Sequence, residues 1–425
     1  MRENFLHYIW QFQKFDHQDL KTSCGKLLMI LNPGEPNYHA GPDFFNGRIR
    51  INGQLWAGNI EIHLKSSGWY EHDHHNDHSY DNVILHVVWR DDAEVRHHDG
   101  SRIPCLSLAG RVSDNILTQY ETLFNRKQKW INCEAHIKAN VKVAFKDWFS
   151  FLIKQRLYYK MEIIKEQLRR SNNNWEAVLF QLLAKYFGSG LNSEAFYTMA
   201  RQLDFKMVQK LKQDPLALEA LFFGITGLFN KTADDEYYNQ LKTTYSFLRR
   251  KFELENHQLI PLRFFRLRPA SFPTIRLSQL AQLYSKSNGL FEQLTTSQDL
   301  DLLRNVFEIK ASEFWNDHYR FEVVSKHRPK NLSVNFINSI LINVVIPLQY
   351  VYHETKGKSF INRGLNLMRQ IPAESNSILS GFKGLGIELE HAYDTQSLLH
   401  LYNNYCSKNN CLECDIGNEI LNRNM

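Results

Sequence analysis

Asn59-Ile60-Glu61-Ile62-His63-Leu64-Lys65 alternates apolar side chains with chemically active ones, and Asn52-Gly53 just before it marks a tight reversal. In a β-strand successive side chains point to opposite faces, so Glu61, His63 and Lys65 share one face while Ile60, Ile62 and Leu64 share the other. Asn-Gly tolerates positive φ at both central turn positions, which predicts a hairpin between strands at 44–51 and 54–64. Gly41-Pro42-Asp43 heads the first of these strands, so Asp43 is expected to join Glu61. Two carboxylates beside a lysine can hold a divalent cation, neutralise a phosphate and help deprotonate water, which is what phosphodiester hydrolysis requires.

Outward from this hairpin the pattern stays mixed α/β to about residue 110. An amphipathic helix over Glu3 to Phe15 leads to a Pro33-Gly34 turn. Asn82 to Trp89 is almost continuously apolar, as a strand covered on both faces requires. A last strand is expected at 103–108, with strand content ending near residue 110. Beyond residue 112 the period changes to 3.6. Val141 to Arg170 reads as one long helix, and Asp214-Pro215 as an N-cap and first turn leading into 216–229. Further helices are expected at 175–187, 192–203, 236–253, 276–286, 298–309, 333–346, 359–370, 376–382 and 394–405. The fold class is therefore α+β, with a mixed domain over 1–110, a helical subdomain over 111–260 and a second over 261–425.

A chain of 425 residues is too long for one small core. Met1-Arg2-Glu3-Asn4-Phe5 lacks the basic and apolar regions of a secretory signal, so a cytoplasmic protein is expected. The most lipid-like stretch, Leu332 to Tyr352, carries Asn335, Asn338, Asn343, Pro347 and Gln349, and reads as a buried helix with no membrane partner. Residues 1–110 hold 10 Lys+Arg against 14 Asp+Glu, whereas the whole chain has a net charge of +6. An acidic metal-binding part joined to a basic part that attracts a phosphate backbone is one explanation; a solvated lysine-rich helical surface is the other.

Three further groups of residues bear on chemistry. His72, His74, His75 and His78, with Asp73 and Asp77, crowd one loop, and imidazole suits transition metals better than Mg²⁺. Folded over Asp43 and Glu61, the loop would add His74 and His78 as ligands; a hydrated loop is the alternative. Cys406, Cys411 and Cys414 form a C-x4-C-x2-C group that needs a fourth ligand for zinc or an iron–sulfur cluster. Cys133 is the best candidate, with His136 or His400 as substitutes in a zinc site, against buried thiols with no metal. Pro261 to Arg276 interleaves Arg263, Arg266, Arg268 and Arg276 with Phe264, Phe265 and Phe272, either to grip nucleic acid or to anchor an interdomain junction.

The arrangement resembles the PD-(D/E)XK nuclease superfamily, whose core is a helix, a three-strand meander, a second helix and a further strand. Its metal site is an Asp, often after Pro, followed on a short strand by Glu or Asp and, two residues on, by Lys. Pro42-Asp43 matches the first half, and 17 residues separate it from Glu61. His63 then stands in the lysine position and Lys65 follows two residues later. Two alignments fit, one on Glu61-Ile62-His63 and one on His63-Leu64-Lys65. The resemblance implies a restriction-endonuclease-like domain that holds Mg or Mn on Asp43 and Glu61. It further implies Lys65 at the scissile phosphate or the water, His63 as base or extra ligand, and DNA as substrate, with repair as one setting. Some members of the superfamily also tie a terminal cysteine triplet to a distant cysteine through an iron–sulfur cluster, with a different triplet spacing.

Over nearly its whole length the chain also resembles a bacterial family described as a domain of unknown function. The likeness rests on Gly41-Pro42-Asp43-Phe44, Trp56 to Ser67, Tyr80 to Val88, Arg266-Leu267-Arg268-Pro269 and the terminal cysteines. That resemblance carries no activity, so function must come from the site. Two readings stand beside the nuclease: a non-catalytic module that binds nucleic acid or protein, and a transition-metal hydrolase built on the His72 to His78 loop.

Overall fold

Strand alternation and one glycine turn organise the N-terminal region into a sheet of six strands: β1 (Leu28–Asn32), β2 (Glu35–Pro36), β3 (Phe44–Ile51), β4 (Gln54–Lys65), β5 (Val83–Arg90) and β6 (Cys105–Ser107). Asn52 and Gly53 have φ of +49° and +85°, the positive pair that an Asn-Gly hairpin turn demands. The turn sets the β3–β4 register, with Ile51 opposite Gln54 and Phe44 opposite Ile60. The order is β1-β3-β4-β5-β6, with β2 pairing β3. The β1–β3 and β3–β4 pairs are antiparallel, whereas β4–β5 and β5–β6 are parallel. β5 lies between two parallel neighbours and buries Val83 to Val88, in keeping with its apolar sequence.

The computed structural model describes residues 1–37, 39–124, 130–140, 146–230, 232–254 and 260–422. The chain divides into two compact units, one of residues 1–148 with 401–425 and one of residues 149–400. Strands expected at 44–51, 54–64 and 82–89 form within a residue of those bounds, while that at 103–108 contracts to Cys105–Ser107. β1 went unread because it is an edge strand without alternation: Met29 and Leu31 are exposed, and only Leu28 is buried. Strand structure also continues past residue 110, since His318–Arg320 pairs antiparallel with Val323–Val324. Each of those strands is too short to show a period of two.

The second unit is helical. Its helices begin where side-chain caps stand: Asn174 accepts from Ala177 N–H, Asp214 from Ala217 N–H, Asp235 from Tyr238 N–H and Asn376 from Leu379 N–H. The long helix runs Lys146–Arg170, and its expected start at 141–145 lies outside the described residues. The stretch expected at 333–346 continues to Thr355 through a π-helical turn at Leu341–Val345. Among the described residues Val334–Thr355 is the one helix long and apolar enough to cross a membrane, and 72% of its apolar window is buried inside the protein. The core of this unit includes a buried carboxylate. Glu219 accepts hydrogen bonds from Trp315 Nε1 at 2.6 Å, Ser278 Oγ at 2.7 Å and the Tyr237 hydroxyl at 3.1 Å.

Candidate metal centre

Glu61 and His63 follow one another on the same face of β4, and both are buried, at 4% and 2% exposure. Asp43 enters from the head of β3. Its backbone N–H donates to Glu61 Oε2 at 3.1 Å, and its Oδ2 accepts the Ile62 N–H at 2.9 Å. These reciprocal bonds lock the two carboxylates across the hairpin. The helix Glu3–Gln11 adds His7, whose Nε2 lies 3.3 Å from Asp43 Oδ2. Burial works against a charge on His7, but Asp43, Glu3 and Glu61 outweigh it and raise its pKa. Glu61 itself is pushed far above the usual carboxylate range by burial and by Asp43.

The connection from β4 to β5 returns over this face. Trp69, fully buried, donates from Nε1 to the Arg96 carbonyl at 3.0 Å and packs with Tyr80, Val83, Val95 and Ile103. That floor fixes the histidine loop. His74 stacks on Tyr80 with ring centroids 3.9 Å apart, and its Nε2 lies 3.3 Å from Glu61 Oε1. His72 Nδ1 lies 3.0 Å from His63 Nε2, and His63 Nδ1 lies 2.8 Å from His86 Nε2. Among the described residues His63, His72 and His74 form the one group of three or more ligand atoms all within 4.8 Å of one another. Glu61 Oε1 stands 3.8 Å from His63 Nε2, at the edge of this trio.

The buried imidazoles of the cluster are held in the neutral form. Burial pushes His63 down to about 2, helped by the imidazoles of His86, His74 and His72, and pushes His86 down to about 3. His74 is lowered by burial as well, despite the nearby carboxylates. Neutral imidazoles keep the lone pairs that a metal needs. His72 is exposed, so the cluster is open to solvent on that side.

Not every expected residue arrives. His78 pairs with Asp81 at 2.9 Å and is 78% exposed, so it stands apart from the cluster. Lys65 is exposed at the end of β4 opposite Arg90, near Asp92, whose carboxyl is held low by the Ser67 backbone N–H first and by Lys65 least. His72 joins Asp43, Glu61, His63 and His74, while His7 and His86 come from segments that carried no site signal. His86 had one clue, as the lone ionisable side chain within the apolar run of β5.

The terminal cysteines return to the sheet-bearing unit. Asn132, next to Cys133 in the chain, donates from Nδ2 to Cys411 Sγ at 3.3 Å. Burial raises the Cys406 thiol, and Cys133, Cys414 and Cys411 raise it further, but no three of these sulfurs come within 4.8 Å of one another. Burial lifts Cys414 to about 11, although the Gly417 and Ile416 amides offer it hydrogen bonds. His136 lies 3.6 Å from Glu419, and His400 lies 3.2 Å from Gln155 Oε1 within the helical unit. In the arginine-rich segment, Arg320 lies over both Phe264 and Phe272, Phe265 is 78% exposed, and Arg276 is buried in the helix Pro273–Lys286.

Neither curated proteins nor solved structures yield a match to the chain. A family model matches residues 3–377, which include the whole imidazole–carboxylate cluster, and the chain belongs to the family described as Protein of unknown function (DUF2851).

Proposed function

We propose that the protein is a transition-metal-dependent hydrolase whose centre is held by His63, His72, His74 and Glu61, with nucleic-acid phosphodiesters as substrate. The approach of three imidazoles beside Glu61 carries this reading. That donor set suits Zn²⁺, Fe²⁺ or Mn²⁺ better than Mg²⁺, which prefers oxygen ligands. A bound ion would supply Lewis acidity toward water and a phosphoryl oxygen. Asp43 fixes Glu61 through its backbone N–H, and the charge of a bound ion would offset the burial and the repulsion from Asp43 that hold the proton on Glu61, so that Glu61 could ligate as a carboxylate.

The choice of phosphodiester rests on the strand arrangement. A helix, the antiparallel β1-β3-β4 set, the short helix Gly68–Glu71 and then parallel β5 succeed one another along the chain, which supports the resemblance to the nuclease core. The positive balance of residues 111–425 supports a polyanionic partner such as DNA. The test is metal analysis of untagged protein, followed by cleavage of single- and double-stranded DNA with added Mn²⁺, Zn²⁺ or Mg²⁺. Wild type should cleave with a transition ion, His63→Ala and His74→Ala should lose activity, and Lys65→Ala should retain most of it. Equal activity in wild type, His74→Ala and Glu61→Ala would reject the site.

We further propose that Cys133, Cys406, Cys411 and Cys414 ligate a second centre, an iron–sulfur cluster or a zinc ion. A four-thiolate set serves both, and the C-x4-C-x2-C spacing with a distant fourth cysteine is one that iron–sulfur clusters use. Iron with acid-labile sulfide, or zinc, in anaerobically purified protein separates the two; a metal-free chain rejects both.

A further inference from the structure

The helical unit holds a cavity of about 660 Å³ that the reading above does not use. One face of the helix Lys146–Arg170 brings Arg156 and Lys160 to it, and the helix Pro273–Lys286 brings Arg276. These cations have too little acid around them. Among the described residues Glu374 is the one carboxylate that acts on Arg156 and Lys160, and Glu374 is already engaged by Gln396 and Thr395. Arg276 has none: its guanidinium donates to Gln279 Oε1 at 3.0 Å and lies 3.7 Å from the Phe336 ring centroid. Arg276 is only 7% exposed, yet among the described residues its Nε has no hydrogen-bond partner, and neither has the Oε1 of Gln167, which lines the same cavity.

A buried cation such as Arg276 without counter-charge is costly unless a ligand completes it, and the half-buried Arg156 and Lys160 stand beside it. Here the surplus surrounds open space. The π-helical turn Leu341–Val345 turns Asn343 into the lining, where its Oδ1 accepts from Lys160 and its Nδ2 donates to the Tyr186 hydroxyl at 3.2 Å. Such turns recur at binding sites because they offset the side chains that follow. Phe336 and Ile163 supply flat and apolar wall, and the volume suits a ligand of mononucleotide size.

We propose that this cavity binds a small organic phosphate, with the phosphate among Arg156, Lys160 and Arg276 and a planar body against Phe336 and Ile163. Arginine forks match phosphate oxygens, and the protein has already desolvated them. The site lies wholly in residues 149–400 and stands or falls apart from the metal centre.

Calorimetric titration of the full chain in EDTA tests it, with inorganic phosphate and adenosine monophosphate as probes and chloride at matched ionic strength as the blank. EDTA keeps the metal centre from contributing. The nucleotide should bind more tightly than phosphate, and Arg276→Gln should weaken it by about tenfold or more. Lys160→Met should do the same, whereas Lys383→Ala on the surface should not. Circular dichroism shows whether each variant is folded. Binding no stronger than the chloride blank, nucleotide binding no tighter than phosphate, or unchanged affinity in folded Arg276→Gln or Lys160→Met would overturn the proposal.

Discussion

His63 and His86 meet across the parallel β4–β5 pair, with Nδ1 of His63 2.8 Å from Nε2 of His86. Both rings are buried and neutral, so each carries one N–H and only one of them can donate. For His63 Nε2 to face a metal with its lone pair, the proton must sit on Nδ1 and be donated to His86. The His86 proton then sits on its own Nδ1, a buried atom with no partner among the described residues. His86 thus positions His63 without joining the cluster.

Replacing His86 by Phe should leave every ligand in place while removing the acceptor that sets the His63 tautomer. Affinity for Zn²⁺ or Mn²⁺ is expected to fall by about 10- to 100-fold. Competition against a chromophoric chelator measures it, and unchanged affinity would show that His86 is only core.

Gly68 should resist substitution for a related reason. A Cβ there would stand 3.0 Å from Cδ2 of the His63 ring, so Gly68→Ala must displace the imidazole by a few tenths of an ångström. Metal affinity should drop by about fivefold or more, since ligand placement is held to about 0.5 Å in working sites. The same chelator assay on folded Gly68→Ala checks this, and wild-type affinity would mean that the ring has room to move.

The terminal cysteines should act as a set. Cys411→Ser and Cys133→Ser should each abolish the iron or zinc content, whereas Cys24→Ser, at an exposed cysteine, should keep it. Loss of a four-ligand centre should lower the melting temperature by several degrees, as expected for a cost of about 2 kcal/mol or more. Full metal content in Cys133→Ser would remove Cys133 from the site.

Glu219 makes stability depend on pH. Burial raises its folded pKa above the ordinary 4.5, against the hydrogen bonds of Trp315, Ser278, Ser312 and Tyr237. Below about 4.5 both folded and unfolded chains hold the proton, and its contribution is complete. As pH rises, the unfolded chain releases the proton first, so stability is lost until the folded pKa is passed. The slope is at most about 1.4 kcal/mol per pH unit. Urea unfolding of wild type and Glu219→Gln across this range should show a steeper decline in wild type; parallel curves would refute it.

Local pattern made much of the fold legible. Asn52-Gly53 set the hairpin, the alternation from Ile60 to Lys65 put Glu61 and His63 on one face, and Asp214-Pro215 marked a helix start that the chain obeys. The exposed edge strand β1 and the short pair at 318–324 escaped, because neither buries a regular alternating face.

The sequence by itself determined the strand and turn periods, the helix caps and the pairing of Asp43 with Glu61, since these follow from neighbours a few residues apart or joined by one hairpin. Only the tertiary structure decided that His72 and His74 come to His63 while His78 pairs with Asp81 away from it, and that Lys65 ends outside. It also brought His7 and His86 to the cluster, Cys133 to the terminal triplet and Arg276 to a cavity beside Lys160. The reason is physical: a local period fixes which face a side chain takes, but convergence of distant segments depends on sheet order, the crossover from β4 to β5 and the apolar floor of Trp69 and Tyr80 that holds it.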